Sequence, residues 1–238
     1  MLIRLVLMAG LAGLFLPASD AVAAPPTADE LVAKNLQARG GADKLRAIKS
    51  LNAVGKMRFN GGMEAQVASY AITPDKSRFE FSLQGLTAIN AWDGKQAWAI
   101  NPFQGRREPQ KTSDDDAKGL VRAADIGGAL LDWKAKGSTL EYLGTEDIDG
   151  TDAHKLRVTF KNGDSQVLFL DPDHFLEIRI EDHQFVRGQE QVNTSDLGEY
   201  AQVDGVYFPM EQGQMQIDSI TLNAPIDTAQ FAFPTAKP

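Results

Sequence analysis

The stretch AWDGKQAWAINPFQG, residues 91–105, decides the fold. Asp93-Gly94 between apolar arms is a strong signal for a reversal joining two antiparallel strands. A hairpin with one face in water alternates apolar and polar residues. Here Ala91 and Trp92 lead in, Ala97, Trp98, Ala99 and Ile100 lead out, and there is almost no alternation. Both faces of this hairpin must therefore be covered, and the chain has to supply the cover.

Outward from the hairpin the period is two in both directions. Met57 and Phe59 share one face of GKMRF, NGG turns the chain, and EAQVASYAI follows up to Pro74-Asp75. In RFEFSL, Phe79, Phe81 and Leu83 alternate with Arg78, Glu80 and Ser82, which places the three on the inner face of a curved sheet. Downstream, TLEYLGTEDI, DAHKLRVTF, SQVLFLD, LEIRIED, GQEQVNTSDLGEY, YAQVDGVYFPM and QMQIDSITLNA read as strands, with turns at Asp149-Gly150, Asn162-Gly163 and Asp204-Gly205. Ten or eleven antiparallel strands in sequential order predict a meander, and a sheet that large curls.

Helices frame and interrupt this series. Thr27 with Glu30 makes a capping box after Pro25-Pro26, Leu31, Val32 and Leu36 form a stripe, and Gly40-Gly41 ends the helix. A short helix with Leu45 and Ile48 on one side follows. These helices read more readily as packed against the sheet than as a movable cover. Residues 102–137 carry no strand signal; Ser113 with Asp114–Asp116 suits a helix start, with Leu120, Val121 and Ala124, then Ala129, Leu130, Leu131 and Trp133, as its buried side.

The 238 residues hold 24 Lys plus Arg against 32 Asp plus Glu, a net charge of −8, which argues against a broad nucleic-acid footprint. Hydrophobic residues make up 43%, enough for a packed core. Residues 1–23 read as a signal peptide: Arg4, an apolar run from Leu5 to Leu16 too short to span a bilayer, and a small-residue site at Ala21-Val22-Ala23. The expected mature product is a single exported, soluble domain, 24–238. Without cysteine it has no disulfide and no thiol to acylate.

Motifs for chemistry are few. Asp171-Pro172-Asp173 before His174 reads as a turn rather than a metal site. The acidic run at 114–116 reads as a helix start, and Glu181-Asp182-His183-Gln184 as a strand end. Gly119, Gly127 and Gly128 follow no phosphate-loop spacing, and no nucleophile elbow or zincin motif occurs. The expectation is a binding protein without catalysis, metal or cofactor.

TPDKSRFEF, AWDGKQAWAINPFQG and the closing IDTAQFAFP, in this order and spacing, resemble the LolA-like family of outer-membrane lipoprotein-sorting proteins over nearly the whole mature chain. The resemblance implies an α+β fold, mainly β: an unclosed antiparallel β-barrel, a half-barrel of about eleven strands, with helices on its concave face. It also implies a monomeric periplasmic carrier or chaperone that hides acyl chains of a lipid or lipoprotein for transfer towards the outer membrane. Its partners would be an inner-membrane transporter and an outer-membrane acceptor. A lipid-sensing module for envelope signalling is the alternative. The expected lipid-binding lining is Met57, Phe59, Phe79, Phe81, Leu83, Trp98, Ile100, Phe103, Val158, Phe160, Leu168, Leu170, Ile178 and Ile180. One position departs from the family: the lipoprotein chaperone has an arginine before the proline of the second-strand turn, which holds its helical lid shut. Here Thr73 precedes Pro74, and the nearest arginine is Arg78.

Overall fold

The structure, a computed structural model, describes residues 24–234; the signal-peptide expectation for residues 1–23 lies outside the described residues. Helices α1 (Ala28–Ala38) and α2 (Ala42–Ala47) lead in. Strands β1 (Ser50–Arg58), β2 (Glu64–Ile72), β3 (Lys76–Leu83), β4 (Leu86–Trp92), β5 (Ala97–Asn101) and β6 (Arg106–Lys111) follow. After α3 (Asp114–Ala123) come β7 (Thr139–Ile148), β8 (Thr151–Thr159), β9 (Ser165–Leu170), β10 (Glu177–Val186), β11 (Gln189–Val203), β12 (Val206–Gln212) and β13 (Met215–Leu222).

All thirteen strands form one antiparallel sheet in the order 6-5-4-3-2-1-13-12-11-10-9-8-7. Two meanders are joined where β13 returns beside β1, with Leu51 opposite Leu222. The edge strands β6 and β7 do not pair with each other, so the barrel is not closed, and residues 112–138 bridge from one edge to the other. The count exceeds the expected ten or eleven, and one of the additional strands is β6, which carries no apolar pattern. Its sequence, RREPQK, is charged and includes a proline, both tolerated on a sheet edge where one row of backbone groups faces outward.

The turn chemistry holds. Asp149-Gly150 and Asp204-Gly205 take positive φ at both positions (51° and 89°; 49° and 81°), the backbone that matches the twist of a two-residue hairpin. The Asp93 reversal is longer, four residues between β4 and β5, and the Asp93 carboxylate closes it by accepting from the Lys95 and Gln96 N–H groups, each at 2.8 Å.

Two clusters fix the first helices to the inner face. Leu31 and Val32 of α1 pack with Leu156, Val158, Leu168 and Leu170, and Leu130 completes the group. Leu45 and Ile48 pack with Val206, Phe208 and Leu222, joined by Leu131. Gly40, between the helices, lies so close to the β11–β12 turn that a Cβ would stand 2.2 Å from the Gly205 carbonyl oxygen. These helices belong to the core, and the cover over the rest of the inner face is α3. Among the described residues, no helix is long and apolar enough to cross a membrane.

Candidate functional site

Pairing register determines which side chains share a face. Phe79 and Phe81 on β3 oppose Asn90 and Ala88 on β4, while Ala91 opposes Trp98 and Trp92 opposes Ala97. Phe79, Phe81 and Leu83 thus stand on the α3 side, where the Ser77 hydroxyl donates to the Leu120 carbonyl at 2.6 Å. Met57 and Phe59 share that side. Phe59, Phe81 and Phe103 meet edge to face, with ring centroids 6.0 and 5.6 Å apart.

Trp98 and Ile100 are on the opposite, outer face, a correction to the expected lining. The physical reason is the period of two: once Trp92 takes the inner side, its partner Ala97 does so too and Trp98 must point out. The outer cover is the chain's own end. The Trp98 indole N–H donates to the Phe231 carbonyl at 2.8 Å, the Phe233 ring lies edge-on at 6.3 Å, and Arg78 stacks over the indole while donating to the Gln230 carbonyl. Both faces of the opening hairpin are therefore covered, one by α3 and the other by residues 228–233. Ile178 is also displaced from the expected lining: it sits at an irregularity in the β9–β10 pairing and packs with Ile148, Ala153, Val167 and Phe169. Val158, Leu168 and Leu170 are on the inner side but almost wholly enclosed beneath α1. Phe160 and Ile180 remain on the inner side, at the wall of a hollow.

Ser113 caps α3 by accepting from the Asp116 N–H at 3.2 Å, behind three aspartates that suit a helix N-terminus. Ala117 and Ala124 are buried, Leu120 is half-buried, and Val121 is exposed, contrary to the expected buried side. Polar contacts take the place of an apolar seam. Lys118 pairs with the buried Asp164 at 3.2 Å and donates to the Phe185 carbonyl. Arg122 pairs with Asp182 and stacks 4.8 Å over Phe160. Arg187 donates its backbone N–H to Asp115 at 2.9 Å and its guanidinium to Asp116 at 3.1 Å. Burial pulls the Arg122 guanidinium below its ordinary value. The sequence marked none of these tethers, although Lys118 and Arg122, four apart, share a helix face.

Between α3 with its following segment and the sheet are two adjoining hollows, of about 370 and 450 Å³, in the range of small-molecule sites. Leu51, Ala71, Ala123 and Gln212 border both. Phe79 lines the larger, under α3; Phe160, Leu168, Ile180, Leu197 and Phe208 line the other. Polar groups missed at the sequence level also border the latter: Arg39, Gln166, Glu177 and Tyr200. The Tyr200 hydroxyl donates to the Glu177 backbone carbonyl at 2.8 Å, and burial, reinforced by the Glu177 carboxylate, pushes the phenol far above its usual range. Arg78 is on the outer face, where it donates to the Gln230 carbonyl, and on β3 the hydrogen bond to α3 comes from Ser77.

No family model matches the chain, and no curated protein matches it. Solved structures do. A DUF1329 family protein from Desulfovibrio piger aligns with a TM-score of 0.56 at 13% identity, covering 86% of this chain and 97% of that one. A domain named for outer membrane lipoprotein sorting, from Vibrio parahaemolyticus, gives 0.53 at 14% identity, with 86% and 97% covered. A LolA superfamily protein from Nitrosomonas europaea gives 0.53 at 15% identity, with 87% and 98% covered. At these identities the likeness is one of fold, and the fold of this chain is the unclosed LolA-like half-barrel with helices on its concave face.

Proposed function

We propose that this protein is a carrier rather than an enzyme: exported to the periplasm, it shelters the acyl chains of a lipid or lipoprotein beneath α3 for transfer towards the outer membrane. The observation that carries this reading is the pair of hollows between α3 and an apolar inner face, under a helix fastened mainly by polar tethers. The exposed Arg187–Asp116 pair contributes about 0–1 kcal/mol, and the part-buried Lys118–Asp164 and Arg122–Asp182 pairs about 1.5–3 kcal/mol each. Each methylene removed from water contributes about 0.8 kcal/mol, so an acyl chain of about ten carbons outweighs several such tethers. The fold shared with a lipoprotein-sorting domain and a LolA superfamily protein supports the same reading.

Displacement of a fluorescent acyl probe from the delipidated protein tests it. Phe79→Asp places a carboxylate in the wall of the larger hollow and is expected to abolish binding. Phe79→Leu is expected to weaken binding several-fold with little change in melting temperature. Absence of binding by the unmutated protein across several lipid classes would overturn the reading.

A further inference from the structure

The smaller hollow is largely apolar but is bordered by four charged side chains, Arg39, Arg122, Asp125 and Glu177. Arg39 is the C-cap of α1, where the chain turns at Gly40 and Gly41, and its backbone is pinned to the sheet because the Tyr207 N–H donates to its carbonyl at 2.9 Å. The residue is only 9% exposed, and it borders the cavity. Nη1 donates to the Gly127 carbonyl at 3.0 Å. A guanidinium carries five N–H donors, and one carbonyl does not satisfy them. No carboxylate among the described residues lies within 4.0 Å of it.

Of the other charges on this wall, Arg122 pairs with Asp182 and Asp125 with Lys136. The Glu177 carboxylate lies 3.3 Å from the Tyr200 hydroxyl, whose hydrogen goes to the Glu177 backbone carbonyl at 2.8 Å. Arg39 is the one cation on the wall without an anionic partner among the described residues. A buried cation is costly unless an anion meets it, and a planar guanidinium fork matches the paired oxygens of a carboxylate or phosphate.

We propose that this hollow takes a single-chain amphiphile with an anionic head, a carboxylate or a phosphate, bound by the Arg39 guanidinium with its chain against Leu51, Ile126, Leu168 and Phe208. The assignment rests on the carrier reading and narrows its cargo. Where the two hollows adjoin, at Leu51 and Ala71, the chain continues beneath α3.

Titration calorimetry of the delipidated protein at a pH where both heads are ionised tests the assignment. The ligands are oleate and 1-oleoyl lysophosphatidate against methyl oleate and monoolein, all below their aggregation limits. At least one anion is expected to bind about ten-fold or more tighter than the neutral esters, the gain of a charge-assisted hydrogen-bond pair. Whichever anion binds tighter identifies the head. Arg39→Met is expected to remove the preference while keeping the affinity for neutral esters, and Arg39→Lys to retain part of it, with melting curves recorded for both. Equal affinity for anions and neutral esters in the unmutated protein overturns the assignment without touching the carrier reading. A preference that survives Arg39→Met overturns it as well. If no amphiphile binds, both fail.

Discussion

Trp98 stands one strand from the sheet edge and is nevertheless enclosed, because a segment 133 residues away returns to accept its indole N–H. Replacing it with phenylalanine keeps most of the apolar area and leaves the Phe231 carbonyl buried without its donor. Trp98→Phe is expected to cost about 1–3 kcal/mol in urea unfolding and to expose residues 228–233 to protease. Both Phe-x-Phe-Pro and Trp98 are conspicuous in the sequence, but their mutual contact is not, since nothing local relates residues so far apart. Arg39 was still less visible: an arginine before two glycines reads as an ordinary helix end, and only the cavity makes it a buried cation.

Helix α3 was legible in its start and illegible in its end and its role: it stops at Ala123, although the apolar residues read as its buried side run on to Trp133. The serine cap and the acidic first turn are local devices, and they formed as expected. Its orientation depends on Asp164, Asp182 and Arg187, which lie in a turn, a strand and a hairpin more than forty residues away in the sequence. Lys118→Met leaves the Asp164 carboxylate with the Asn162 side-chain amide and the Phe185 N–H as donors, and is expected to cost about 1–3 kcal/mol. In hydrogen exchange, Lys118→Met with Arg122→Met should accelerate the α3 amides about ten-fold or more while α1 and α2, whose Leu31 and Leu45 are enclosed, stay protected. The Arg187 backbone N–H holds the Asp115 carboxyl below its ordinary value of 3.8. That tether is therefore intact above this pH and is lost as pH falls through the lower folded value.

At the scale of the molecule, stability carries a signature of His154. Its ring accepts a place on the inner side beside the Tyr142 hydroxyl, 3.1 Å away, and stacks on Phe175. Burial, then the charge of Lys34, keeps the imidazole below its ordinary 6.5. The unfolded chain takes up this proton first, so the contribution is fully present above 6.5 and is lost as pH falls from there through the folded value. The melting temperature is expected to drop between about pH 7.5 and about pH 5.5, and His154→Gln to flatten that slope.

By itself the sequence determined the strands, their turns, the helix caps and the antiparallel class, because each rests on residues within a few positions of one another: alternation, Asp-Gly pairs, Thr27 with Glu30. A period of two states that a strand has two faces and not which one is inner. Tertiary structure made that choice through pairing register, sending Trp98 and Ile100 outward and Phe79 and Phe81 inward. It alone placed the charged strand β6 on an edge and brought β13 beside β1. It also separated a filled core under α1 from a hollow under α3, since both are lined by the same apolar residue types and differ only in whether another element reaches in to fill them.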